Sequence, residues 1–158
     1  MNTDGLIIRP ATSADAATLV EFNLALANET EHRKLDPKIV RAGVENLLRD
    51  AKLGFYTVAE QNKRVVGALM ITFEWSDWRN KTFWWIQSVY VHQDFRRRGI
   101  YRRLYDHVRG LAEQTGEVCG LRLYVEKGNL VAQQAYSQLG MSEAAYKIFE
   151  AEIGVTKL

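Results

Sequence analysis

The stretch FWWIQSVYVHQDFRRRGIYRRL, residues 83–104, constrains this chain most. Its first nine residues are apolar on both alternating faces, as expected of a strand covered on two sides. After a short polar break, Gly99 opens a helical pattern whose apolar stripe is Ile100, Leu104, Val108 and Leu111. A second strand-like run, LRLYV (residues 121–125), follows. Strand, helix and strand in one sheet form a right-handed crossover with parallel strands. The chain is therefore committed to an α/β sheet organised around that unit.

The flanking segments complete the order. Residues 6–9 read as a first strand, and Thr12 or Ser13 can cap a helix carried by Ala16, Leu19, Val20, Leu26 and Ala27, with Asn23 as a polar intruder. Asp36-Pro37 is an N-cap followed by proline at the first helical position, and Val40, Val44, Leu47, Leu48 and Ala51 carry that helix to Gly54. Residues 55–60 and 64–75 are strand-like runs joined by QNK, a hairpin signal, so these strands should be antiparallel and the sheet mixed. Asn129 opens a short helix that ends at Leu139 before Gly140, where a left-handed C-cap belongs. Residues 144–153 offer one or two final strands. The predicted order is β-α-α-β-β-β-α-β-α-β(β), α/β with α+β character, in a single domain over residues 1–158.

Several functions are disfavoured by simple counts. Lys and Arg number 21 against 19 acidic residues, a net charge of +2 that is small for a nucleic-acid binder. The basic character is local instead: Arg96, Arg97, Arg98, Arg102, Arg103 and Arg109 lie close together. One cysteine, Cys119, provides neither an internal disulfide nor metal-ligand spacing, so no metal is expected. The opening MNTDGLIIRP has no signal- or transit-peptide character, and no apolar run approaches a membrane span. A cytoplasmic, reducing compartment is the expectation, with no membrane partner.

The arginine–glycine stretch stands where ligands bind in open α/β sheets, beyond the carboxyl end of a parallel strand. Backbone amides at a helix start are unpaired and attract phosphate. Gly99 lets an anion approach without a Cβ in the way. A phosphate loop and a solvated helix start both fit this stretch alone.

A second motif, N-L-V-A-Q-Q-A-Y-S-Q-L-G-M (residues 129–141), follows the next strand. Together the two stretches resemble the GNAT superfamily of acetyl-CoA-dependent N-acetyltransferases. Arg96-x-x-Gly99-x-Tyr101 is similar to that family's [Q/R]-x-x-G-x-[G/A] pyrophosphate loop, and residues 129–141 look like its NxxAxxxYxxLG(F/M) helix. Element order and length agree, so the resemblance covers essentially the whole chain and implies splayed parallel central strands. Tyr101 stands where the family has Gly or Ala, so its side chain must point away from the phosphates or the loop must shift.

The resemblance implies roles residue by residue. The pyrophosphate of acetyl-CoA would sit on backbone amides of Arg97, Arg98, Gly99, Ile100 and Tyr101, with Arg96 beginning the turn. The pantetheine arm would pair with Val89 and Val91, and the Val89 amide would steady the oxyanion of the tetrahedral intermediate. Tyr136 matches the tyrosine near the CoA sulfur, as general acid or as a packing aromatic. Asn129 is a helix N-cap or a cofactor contact.

Where some members carry a glutamate general base, this chain has Trp85. Glu126, directly after LRLYV, is the first candidate to replace it, with Glu74, Asp77 and His92 as alternatives. Glu29, Thr30, Glu31 and His32, placed after the first helix, could wall the acceptor; two carboxylates there suit a cationic amine. Trp75, Trp78, Phe83, Trp84 and Trp85 cluster around a hairpin and suit an acceptor wall or a homodimer seam. Three functions fit: acetyl transfer to an amine of a small molecule or amino acid, the same transfer to a protein N-terminus or lysine, and non-catalytic binding of CoA or nucleic acid. The small net charge and Tyr136 in register count against the last.

Overall fold

The computed structural model describes residues 5–151, 153 and 154. Local chemistry sets most element boundaries. Strand β1 (Leu6–Pro10) leads through a 3-10 turn into helix α1 (Ala16–Glu31). Asp36 caps α2 (Pro37–Arg49), its carboxylate accepting from the Lys38 amide at 2.8 Å, and Pro37 occupies the first turn as expected. Strands β2 (Phe55–Gln61) and β3 (Arg64–Ser76) are joined at Asn62 and Lys63, whose φ values of 52° and 62° are those of a type I′ turn. Gly54, ahead of β2, admits no other residue: an added Cβ would lie 2.0 Å from the Ile71 carbonyl oxygen.

Strand β4 (Lys81–Val91), helix α3 (Ile100–Thr115) and strand β5 (Val118–Arg122) form the expected crossover. The sheet runs β1-β2-β3-β4-β5, antiparallel except for the parallel β4–β5 pair. On one face, Leu19, Val20 and Phe22 of α1 and Val44 and Leu47 of α2 cluster with Tyr56, Val58, Ala68 and Tyr90. Burying each of the larger aliphatic side chains contributes about 2 kcal/mol. Asn23 fits this core because its amide nitrogen donates to the Leu19 carbonyl at 2.8 Å and to the Tyr56 hydroxyl at 3.3 Å. Helix α3 buries Ile100, Leu104, Tyr105, Val108 and Ala112. Leu111, expected in that stripe, is only half-buried.

Three differences from the expectations have physical causes. Strand β5 begins at Val118, ahead of LRLYV, because Gly116 ends α3 in the left-handed region (φ 69°) and the chain pairs with β4 at once. Residues 29–31 form the last turn of α1 rather than a following loop, and His32 (φ 53°) is its left-handed C-cap. No strand forms at the described residues of 144–153, with residue 152 outside them. There Tyr146, Ile148 and Phe149 stay exposed, Phe149 at 91%. A strand needs a partner edge as well as an apolar pattern.

The described chain divides after Leu123 into two compact units. The sheet and α1–α3 belong to the first, and helix α4 (Leu130–Gln138) to the second. Among the described residues no helix is long and apolar enough to cross a membrane.

Candidate active site

Strand β4 changes partners along its length. Thr82 to Trp85 pair with β5, and the register ends at Trp85 opposite Arg122. From Ile86 to Val91 the recorded strand pairing is with β3 alone. Gln87 faces Met70 and Tyr90 faces Ala68, so Ser88 and Val89 together oppose Leu69. This is a β-bulge, and Ser88 adopts the left-handed conformation (φ 48°) that makes it. The His92 amide donates to the Val66 carbonyl at 2.9 Å. Strand alternation then directs Tyr90 towards β3 and turns the amides of Val89 and Val91 to the other edge.

Beyond Val91 the chain forms a cradle. Arg97 (φ 61°) and Gly99 (φ 74°) are left-handed and Arg98 between them is not, an alternation that gathers consecutive amides. Gly99 is the N-cap of α3 and supplies no side-chain cap, so the first-turn amides face outward with the helix dipole behind them. A Cβ on Gly99 would meet nothing within 4 Å, so the space beside its α-carbon is open. Ile100 is buried and contributes only its backbone. Tyr101 resolves its departure from the motif by turning along α3 towards Tyr105, with ring centroids 6.5 Å apart.

The arginine side chains divide the work. Arg96 donates from Nε to the Val91 carbonyl (2.9 Å) and from Nη2 to Glu29 (2.6 Å), and lies over the Tyr90 ring. The Tyr90 hydroxyl donates to the other Glu29 oxygen at 2.8 Å. Burial works to raise the Glu29 carboxyl, but the hydrogen bonds from Arg96 and Tyr90 outweigh it and hold Glu29 below its ordinary range. Glu29 is thus engaged with the loop. Arg98 donates to the Asp94 carbonyl (2.8 Å) and stacks on Phe95. Arg97, exposed, forms no ion pair among the described residues. The cradle therefore fits a diphosphate: outward amides, an open approach and an unengaged cation.

On the face of the sheet that α1 covers at Tyr90, Trp85 donates its indole N–H to Glu74 Oε2. Glu74 Oε1 accepts from Arg122 Nη1 at 2.7 Å, and Arg122 stacks on Phe83, 3.6 Å from the ring centroid. The sequence reading missed Arg122 and did not connect Glu74 to Trp85, since register alone brings them together. Asp77 caps the hairpin tip by accepting from the Trp78 amide at 2.9 Å. His92 accepts from Arg64 through Nε2 at 3.0 Å, and its Nδ1 lies 3.6 Å from Asp94 Oδ2.

The second unit holds the remaining candidates. Asn129 caps α4, accepting from the Ala132 amide at 3.1 Å. Burial pushes the Tyr136 phenol upward, so it keeps its proton at neutral pH. Glu126 is exposed and accepts from the Gly128 amide at 2.8 Å. Among the described residues, no group of three or more His, Cys, Asp or Glu side chains is placed to hold a metal ion.

Comparison with known proteins supplies the rest. The model of the acetyltransferase (GNAT) family matches residues 20–141. A possible acetyltransferase from Clostridium difficile 630 is 41% identical, with a TM-score of 0.90 over 95% of this chain and 99% of that one. A predicted acetyltransferase with acetyl-CoA from Clostridium acetobutylicum shares the fold at 18% identity and a TM-score of 0.76, over 92% of this chain and 96% of its own. A ribosomal-protein-alanine N-acetyltransferase from Brucella melitensis biovar Abortus 2308 does so at 20% and 0.75, over 94% and 99%. No curated protein matches in sequence.

Proposed function

The chain belongs to the GNAT acetyltransferase family and is an acyltransferase, and from that premise we propose that it moves an acetyl group from acetyl-CoA directly to a primary amine of a small molecule or amino acid. The observation that carries this reading is the uncapped start of α3 behind the Arg97–Gly99 cradle, directly after a strand with an outward edge.

Acetyl-CoA would supply the activated thioester. The amides of Arg97, Arg98, Gly99, Ile100 and Tyr101 bind its pyrophosphate, and Arg96 holds the start of the turn through Val91 and Glu29. The edge amides of Val89 and Val91 orient the pantetheine arm as an added strand. The bulge at Ser88 sets the direction of the Val89 amide, which donates to the oxyanion; a preorganised donor of this kind contributes about 3 kcal/mol to the transition state. Tyr136, protonated at neutral pH, carries the proton for the departing thiolate. Asn129 positions that helix as its cap. Glu126 takes the proton of the attacking amine, which has no lone pair while it is an ammonium.

The test is release of free thiol from acetyl-CoA in the presence of a panel of small amines, amino acids and peptides. Saturable, amine-dependent release supports the reading. Release only with peptide N-termini or lysyl peptides moves the acceptor to protein, and none with any amine overturns amine acetylation.

A further inference from the structure

One charged cluster on the first unit has no part in the scheme above. Glu74 of β3, Trp85 of β4 and Arg122 of β5 lie side by side on one face of the sheet, and Phe83 is under the guanidinium. Thr72 and Gln87, bonded to each other at 2.5 Å, continue the same face one step towards Val89. Glu74 and Arg122 are partly open to solvent, with side chains 38% and 32% exposed.

The hydrogen-bonding capacity of the pair is unequal. Both Glu74 oxygens are taken, one by Arg122 and one by Trp85. Arg122 uses Nη1 on Glu74, which among the described residues leaves most of its five N–H donors for another acceptor. A second guanidinium, that of Arg79, lies 5.1 Å from the same Phe83 ring. The spare groups of the pair are donors. Stacking on Phe83 and the bond to Glu74 fix the plane of the Arg122 fork, which matches a carboxylate bidentately.

The position along the strand sets the size of the ligand. Arg122 is opposite Trp85, four residues before Val89 on β4. At about 3.3 Å per residue, with one residue lost to the bulge, that is roughly 10–13 Å along the sheet. An acceptor whose amine is at Val89 would bring to Arg122 a group several bonds away.

We infer that Arg122, oriented by Glu74 and Phe83 and walled by Trp85, binds a carboxylate of the acceptor. The substrate class is then an amine bearing a carboxylate several bonds from its nitrogen. This inference rests on the acetyl-transfer reading for the location of the amine, while the anion subsite stands on its own geometry.

The test compares ω-amino carboxylates of increasing length, glycine to ε-aminocaproate, with n-alkylamines of matched length, in the thiol-release assay at saturating acetyl-CoA. Wild-type kcat/KM should favour one of the longer amino carboxylates over its alkylamine by about tenfold or more. In Arg122→Gln that ratio should collapse towards one, mainly through the KM of the amino carboxylate, and Arg122→Lys should fall between. A merely structural Arg122 would lower both substrate series together and leave the ratio intact, which overturns the inference. So does a wild-type enzyme that acetylates both series equally, and there acetyl transfer itself survives. Absence of transfer to every amine fails the acetyl-transfer reading instead. The subsite is then read by calorimetry with ε-aminocaproate: saturable binding to wild type lost in Arg122→Gln upholds it, and equal or absent binding overturns it.

Discussion

Arg96 and Glu29, 67 positions apart in sequence, meet at 2.6 Å and join the end of α1 to the start of the cradle. The Tyr90 hydroxyl occupies the other Glu29 oxygen, so one carboxylate ties helix, strand and loop together. Glu29→Gln should therefore lower acetyl-CoA affinity several-fold by loosening Arg96. It should change stability by less than about 1 kcal/mol, since the pair is solvent-exposed. Calorimetric titration and thermal melts check both, and unaltered affinity would remove the tether from the cofactor site.

Gly99→Val should weaken acetyl-CoA binding more than tenfold. Its Cβ meets no atom within 4 Å, so the fold survives, at a backbone cost of about 1–2 kcal/mol for φ 74°. The added branched side chain would crowd a diphosphate bound at the neighbouring amides. A folded variant with wild-type affinity would place the diphosphate elsewhere.

Tyr136→Phe removes one hydroxyl and should lower kcat by about 10²-fold with little effect on acetyl-CoA affinity. Single-turnover kinetics isolate the chemical step. Unchanged chemistry would make Tyr136 a packing residue.

Glu126→Gln should lower the neutral-pH rate by about 10²-fold and recover in part at high pH, where more amine is free. A pH–rate profile identical to wild type would pass the role of base to Glu74 or Asp77.

Asp15 offers a stability test apart from catalysis. Its side chain is 7% exposed and accepts from Arg9 at 2.8 and 2.9 Å and from the Thr12 amide at 2.7 Å. The Arg9 hydrogen bonds, opposed by burial, hold its carboxyl below the usual carboxylate range. A depressed folded-state value stabilises the protein above the unfolded value of about 3.9 and loses that contribution as pH falls below it. Wild-type melting temperature should thus drop in that acid window. Asp15→Asn should cost about 2–4 kcal/mol at neutral pH and show a shallower acid decline. Parallel acid slopes in the two proteins would refute the assignment.

Local chemistry was legible in the order of residues. Asp36-Pro37, Gly99 and Asn129 each act within four positions, through a cap or a φ angle, and each does in the structure what its type predicts. The strand–helix–strand unit was legible for the same reason, because periodicity is a property of neighbours. Pairing partners were not. Whether residues 144–153 form strands depends on an available edge, and where β5 begins depends on how soon after Gly116 it meets β4. The bulge at Ser88 exists only in relation to Leu69. Glu29 with Arg96, and Glu74 with Trp85 and Arg122, are brought together by helix docking and sheet register. Sequence determined which segments could be helix, strand and phosphate loop, because those preferences are local. Tertiary structure alone decided which charges far apart in sequence meet, because a shift of one residue in register would send those side chains to the opposite face.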